Sequence, residues 1–209
     1  MKDSPHNSAT RGNFNRRDFL RGSGAAAAAT ALATGTSAIA EAAEADTIPL
    51  YGPGLSKIKL NVNGQDREVQ VEPRMSLLEV LRHQLQLTGA KPVSIDGSSG
   101  ASTVWLDDAP VSANTVLALT CVGRKVRTVE SLGGSKPDAV PMAFVHEDGM
   151  QCGFCTPGFV VAVRAFLDKN PGASEAQIRE GLNGNLCRCG TYANVILAAL
   201  EVVKGGARG

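Results

Sequence analysis

The sequence predicts an α+β fold in which a small β-sheet unit precedes four helices. Three observations carry this. Period-two alternation of apolar and polar residues starts near Lys57 and fades from about Ala139. Asn63-Gly64, a strong two-residue hairpin signal, separates the first two alternating runs. Beyond Ala139 the apolar residues take helical spacing, and two cysteine pairs, Cys152/Cys155 and Cys187/Cys189, fall in the connections.

The elements follow in order. Lys57-Ile-Lys-Leu-Asn-Val62 and Arg67-Glu-Val-Gln-Val71 read as hairpin strands. Ser76 is placed to cap a helix, with Glu79 as its box partner. Leu77, Leu78, Val80, Leu81 and Leu85 then form one face, ending near Gly89. Thr103–Leu106 is a third strand and Lys125–Val129 a fourth, which together describe a β-grasp, the ferredoxin-like plan. In the second half, Pro141–Gly149 reads as a short helix. Thr156 caps the next, with Pro157 at its first position and Phe159, Val160, Val163, Phe166 and Leu167 on one face. Ser174 and Gln177 make a second capping box, for a helix to about Leu182. Tyr192–Val203 is the last amphipathic helix.

The N-terminus reads as a targeting segment. Asn15-Arg16-Arg17-Asp18-Phe19-Leu20 is a twin-arginine signature, an Ala-rich stretch follows, and Ala38-Ile39-Ala40 offers a cleavage site. The stretch is too short and too Ala-rich for a stable membrane span. The expected division is a signal peptide at 1–40, an irregular lead-in at 41–54, a β-grasp unit at 55–134 and a helical unit at 135–209. Export by this route places the protein in the periplasm, already folded.

Composition excludes some roles. With 21 basic and 20 acidic residues and no basic run interleaved with aromatics, nothing points to nucleic acid. Five cysteines in 209 residues are too few for a disulfide-stapled scaffold. Their grouping as two pairs and a singleton points to ligation.

Cys152-Gly-Phe-Cys155 and Cys187-Arg-Cys189 are separated by about thirty residues. Four thiolates so arranged can hold a [2Fe–2S] cluster or one structural zinc ion. A dithiol redox pair at Cys152/Cys155 is the weakest reading, because no βαβ plan surrounds it. The singleton, Cys121, lies in an apolar run and reads as a buried core thiol.

The loop Val93–Ser102 carries a different message. Plant-type ferredoxins bind a cluster through C-x4-C-x2-C and a distant fourth cysteine. Ser94, Ser99 and Ser102 have that spacing, and Asn114 falls at the fourth position. Hydroxyl and amide oxygens are hard ligands, whereas such a cluster selects soft thiolates. These four positions are therefore expected to bind no metal.

Gln151-Cys-Gly-Phe-Cys-Thr-Pro-Gly158 and Gly181-Leu-Asn-Gly-Asn-Leu-Cys-Arg-Cys-Gly190 resemble the iron–sulfur subunit of the xanthine dehydrogenase/aldehyde oxidase family of molybdenum hydroxylases. Ser76–Arg82, Lys91-Pro92 and Gly100-Ala-Ser-Thr-Val104 carry the same likeness, apart from the missing cysteine. The resemblance runs from about Lys57 to Val203, and the signal makes the chain similar to the family's exported aldehyde oxidoreductases. It implies an electron-transfer subunit whose helical unit holds one [2Fe–2S] cluster at Cys152, Cys155, Cys187 and Cys189. It implies a large catalytic partner with a molybdenum-pterin cofactor, contacted by Gln151 and Cys189, and a substrate site on that other chain. The family's outward relay ends on a flavin. Without the first cluster the expected acceptor is a FAD subunit, a haem subunit such as a c-type cytochrome, or a soluble carrier. The alternative is a structural or assembly protein with a zinc site made of the four paired cysteines.

Overall fold

Ile58, Leu60 and Val62 point inward while Lys57 and Lys59 point to solvent, as a half-buried strand requires. A computed structural model describes residues 50–205, and they bear this out. The signal peptide expected at 1–40 lies outside the described residues. Strand β1 (Ser56–Val62) pairs antiparallel with β2 (Gln65–Val71), with Val62 opposite Gln65. Asn63 and Gly64 both take positive φ, at 53° and 77°, the type I′ geometry whose twist matches the strands.

Ser76 and Glu79 form the expected capping box. The helix they open is shorter than its apolar face suggests. One α turn, α1 (Leu77–Glu79), passes directly into a π turn over Val80–Gln84. Gln86 then takes φ 58°, which ends it. Leu77, Leu78, Val80 and Leu81 are still buried, so hydrophobic spacing located the segment but not its pitch.

Strand β3 (Thr103–Leu106) turns through Asp107 and Asp108, both at positive φ, into β4 (Ala109–Ser112). The sequence reading missed β4. Pro110 argues against a strand, but β4 is an edge pairing only with β3, where a missing N–H is tolerated. Strand β5 (Lys125–Arg127) is thus the fifth strand rather than the fourth, and stops before Val129. It lies between β1, to which it is parallel, and β3, to which it is antiparallel, giving the order β2-β1-β5-β3-β4.

Four helices complete the described chain: α2 (Ala139–His146), α3 (Thr156–Lys169), α4 (Glu175–Gly181) and α5 (Tyr192–Val203). The Asp138 carboxylate caps α2 by accepting from Val140 N–H at 2.8 Å, and the Ser174/Gln177 box caps α4. One cap differs from expectation. Cys155, not Thr156, is the N-cap residue of α3, with no side-chain cap bond. The helix therefore opens from a cysteine loop.

Two apolar clusters organise the chain. One lies on the sheet and includes Leu60, Val71, Leu77, Leu81, Val104 and Val126. The other lies among the helices and includes Val140, Phe144, Phe159, Val161, Ile178 and Val195. Trp105 of β3 belongs to the helical cluster at 1% exposure, so a strand side chain fastens the sheet to the helices. Residues 51–205 accordingly form one compact unit. No helix among the described residues is long and apolar enough to cross a membrane.

Candidate metal centre

The Cys152-Gly-Phe-Cys155 loop runs into α3, and Cys187-Arg-Cys189 runs into α5. Gly153 and Gly190 have φ of 81° and 87°, a conformation other residues adopt only with strain. These turns bring the four cysteines together two by two. Cys152 and Cys189 lie close enough to shift one another's ionisation, and so do Cys155 and Cys187. Cys152 and Cys189 are exposed, Cys187 is buried and Cys155 is intermediate. The site thus has an outer pair and an inner pair. All five cysteines are free.

Donors surround the sulfurs. Thr191 N–H points to Cys187 Sγ at 3.5 Å, and the Thr191 hydroxyl lies 3.1 Å from it. Burial opposes ionisation of Cys187, but the Thr191 hydroxyl and N–H, with Cys155 and the Gly190 N–H, bring it down to about 7. Burial pushes the Cys155 thiol up to about 12, and the neighbouring Cys187 adds to this. The Phe154 N–H and the Cys189 thiol lower Cys152. The Cys152 N–H favours ionised Cys189, but hydrogen bonding to Cys152 and burial outweigh it and raise that thiol.

The residues fit a cluster on a separate ground. Among the described residues, the Thr156 hydroxyl is the buried side-chain oxygen or nitrogen left without a partner. It adjoins Cys155 in the chain, and such an orphan is costly unless a partner is supplied. The inner pair and Cys152 also line a cavity of about 350 Å³ with Val93, Ser99, Ala101, Phe154, Leu186, Arg188 and Tyr192. Gln151 is exposed beside it.

Sequence reasoning missed Thr191 and Tyr192. Tyr192 Oη accepts from Cys187 N–H at 2.8 Å, and its ring packs edge-on to Phe159, 6.0 Å between centroids. The usable signal was a Thr-Tyr step two residues after a Cys-x-Cys, at a helix start.

The serine loop is also organised. Ser94 Oγ and Ser99 Oγ are 2.8 Å apart, and Ser99 N–H donates to Ser94 Oγ at 3.0 Å. Ser102 donates to Asn114 Oδ1 at 2.7 Å, and Ser112, which the spacing argument omitted, does so at 2.9 Å. The Asn114 amide donates to the Ser94 and Ile95 carbonyls. All four positions therefore lie together, bonded to one another. Cys121 is fully buried in the sheet cluster, and burial raises its thiol.

Residues 128–200 match the [2Fe-2S] binding domain family, and residues 13–33 match the twin-arginine translocation signal. The chain is 36% identical to a probable xanthine dehydrogenase subunit of Bacillus subtilis, over 73% of this chain and 90% of that one. It is 37% identical to the Escherichia coli aldehyde oxidoreductase iron-sulfur-binding subunit, covering 73% of each. Among solved structures, quinoline 2-oxidoreductase from Pseudomonas putida 86 superposes with a TM-score of 0.70 at 38% identity, over 74% of this chain and 98% of that chain. The chain belongs to the iron–sulfur subunits of the xanthine dehydrogenase/aldehyde oxidase family of molybdenum hydroxylases. It is an oxidoreductase component with a [2Fe–2S]-binding domain and a twin-arginine signal.

Proposed function

We propose that this chain is the electron-transfer subunit of a periplasmic molybdenum hydroxylase acting on an aldehyde or N-heterocycle, and that it carries one [2Fe–2S] cluster. The convergence of four thiols in two pairs, each served by hydrogen-bond donors, carries this reading. Cys152 and Cys189 would hold the outer side of the cluster, Cys155 and Cys187 the inner side. When bound, the cluster supplies one-electron transfer between a two-electron catalytic centre and the acceptor. Tetrahedral zinc would need four sulfurs at about 2.3 Å from a single ion.

The chain's own residues do the rest. Thr191, Gly190 and Phe154 donate to sulfur, which stabilises negative charge there. The exposed pair faces outward with Gln151, so the large molybdenum subunit would dock on this side, with Gln151 and Cys189 against its pterin cofactor. Exposed Met150, Phe154 and Leu186 flank these residues and would exclude water once covered. The Ser94, Ser99, Ser102 and Asn114 oxygens are bonded among themselves, which supports a β-grasp unit without a cluster. The unit boundaries at 55–134 and 135–209 belong to the same reading. Electrons would leave from the one cluster to a FAD subunit or a c-type cytochrome.

Purification from the native host tests the assignment. A reddish-brown complex with a molybdenum subunit and a reduced-state paramagnetic signal is expected. A colourless, zinc-bearing chain without that partner would contradict it. Replacing Arg16 and Arg17 by Lys is expected to abolish export, read by periplasmic fractionation.

A further inference from the structure

The serine loop is more than a filled gap, because its backbone reaches the cysteine site. Leu186 N–H donates to Ser99 O at 3.0 Å. Asn185 Nδ2 donates to Gly100 O at 3.0 Å, and Asn185 is 6% exposed. Asn185 and Leu186 are the two residues ahead of Cys187. Ser99 and Ala101 also line the cavity beside Cys152, Cys155 and Cys187.

Steric fit fixes this contact. A Cβ on Gly100 would stand 2.4 Å from Gly184 O, and one on Gly158 would stand 2.2 Å from Gly100 O. Both are distances that real side chains do not reach, so the loop, the start of α3 and the turn before Cys187 are interlocked. Gly100 also has φ 66°, which a larger residue adopts only with strain.

The side chains at the four degenerate positions stiffen that contact. Asn114 joins the loop's two halves, accepting from Ser102 and Ser112 at Oδ1 and donating to the Ser94 and Ile95 carbonyls. Ser94 in turn holds Ser99, through both the hydroxyl and the N–H of Ser99. The chain of contacts runs from Asn114 through Ser94 and Ser99 to Leu186 and Cys187.

We propose that the metal-free loop acts as a strut for the cysteine site. Asn114 is its central positioning residue, fixing the Ser99 and Gly100 carbonyls that hold Asn185 and Leu186 in front of Cys187. The proposal rests on the one-cluster reading above. A ligand loop held on its far side loses its metal more slowly, since residues that orient ligands commonly change metal retention about tenfold or more.

The test compares the full-length chain with its Asn114→Ala variant, both as purified. Two readouts are hydrogen exchange at the Leu186 amide and the rate of bleaching by an iron chelator. Leu186 exchange and bleaching are both expected to rise about tenfold, while the α5 amides keep their protection. Unchanged Leu186 exchange and unchanged bleaching would overturn the strut. Should Asn114→Ala unfold the chain, Ser112→Ala removes only the bonds of the Ser112 hydroxyl to Asn114 and Ser102, leaving the Asn114 bonds to the Ser94 and Ile95 carbonyls in place. It is then expected to raise both rates about threefold, and no change overturns the proposal. Metal analysis of the unaltered chain separates the two ideas. An absent cluster defeats the functional reading, whereas Leu186 exchange reports on the strut whether or not iron is bound.

Discussion

The cysteine site and the serine loop place four candidate ligand side chains close together, yet they answer the same problem differently. In the cysteine site, Thr191, Gly190 and Phe154 direct donors at sulfur, and the Thr156 hydroxyl is left without a partner. In the serine loop the side chains satisfy one another, at 2.8 Å between Ser94 and Ser99 and 2.7 Å between Ser102 and Asn114. Thiols bond weakly to each other, so a group of them stays available to a soft metal. Hydroxyls and an amide pair readily, so the same geometry closes on itself. The difference teaches that donor chemistry decides whether a loop is a metal site or a structural knot.

The comparison can be broken most sharply at the cysteines. Cys155→Ser and Cys187→Ser are each expected to remove essentially all cluster iron, whereas Cys121→Ala leaves the iron content unchanged. Iron analysis of the purified variants checks this, and loss of iron from Cys121→Ala would contradict it. The next largest effect is a gain. Changing Ser94, Ser99, Ser102 and Asn114 together to Cys restores soft donors at ferredoxin spacing, so iron is expected to rise from about two to about four atoms per chain.

A smaller change sharpens the role of the donors. Thr191→Val keeps the side-chain size but removes the hydroxyl 3.1 Å from Cys187 Sγ. Fewer hydrogen bonds to sulfur favour the oxidised cluster, so the midpoint potential should fall by some tens of millivolts in a redox titration. An unchanged potential would show that Thr191 only packs.

The smallest effect belongs to the sheet half. Ser76→Ala removes a cap worth about 1 kcal/mol, so the melting temperature should fall by about 2–4 °C. The backbone and hydroxyl of Ser76 hold the Glu79 carboxyl below its ordinary 4.5. Because the folded chain favours ionised Glu79, this contribution is complete above pH 4.5 and is lost as pH falls through the lowered folded value. Melting curves from pH 7 to pH 3 should therefore narrow the gap between variant and parent at the acid end, leaving the part due to the Glu79 N–H bond to the Ser76 hydroxyl.

Local chemistry explains what could be read in advance. Asn63-Gly64, the two capping boxes and the Tyr192–Val203 helix announce themselves because near neighbours in the chain decide them. The cysteine pairs were legible because ligand spacing is itself a local pattern. Strand β4 was hidden by Pro110 and by an Asp107-Asp108 turn that lacks the usual glycine. The π turn at Val80–Gln84 keeps the apolar face of an α-helix, so periodicity could not expose it. The Gly100–Gly158 contact and the Ser99–Leu186 bond join residues far apart in sequence, and only the folded chain brings them together.

The most direct test of the central claim is a joint count of iron, acid-labile sulfide and unpaired spins on the reduced, purified chain. About two iron, two sulfide and one spin per chain are predicted, all lost when Cys187 is replaced. About four iron with two spins would put a cluster in the serine loop, and zinc with no spin would remove the cluster from the cysteine site; either result contradicts the account.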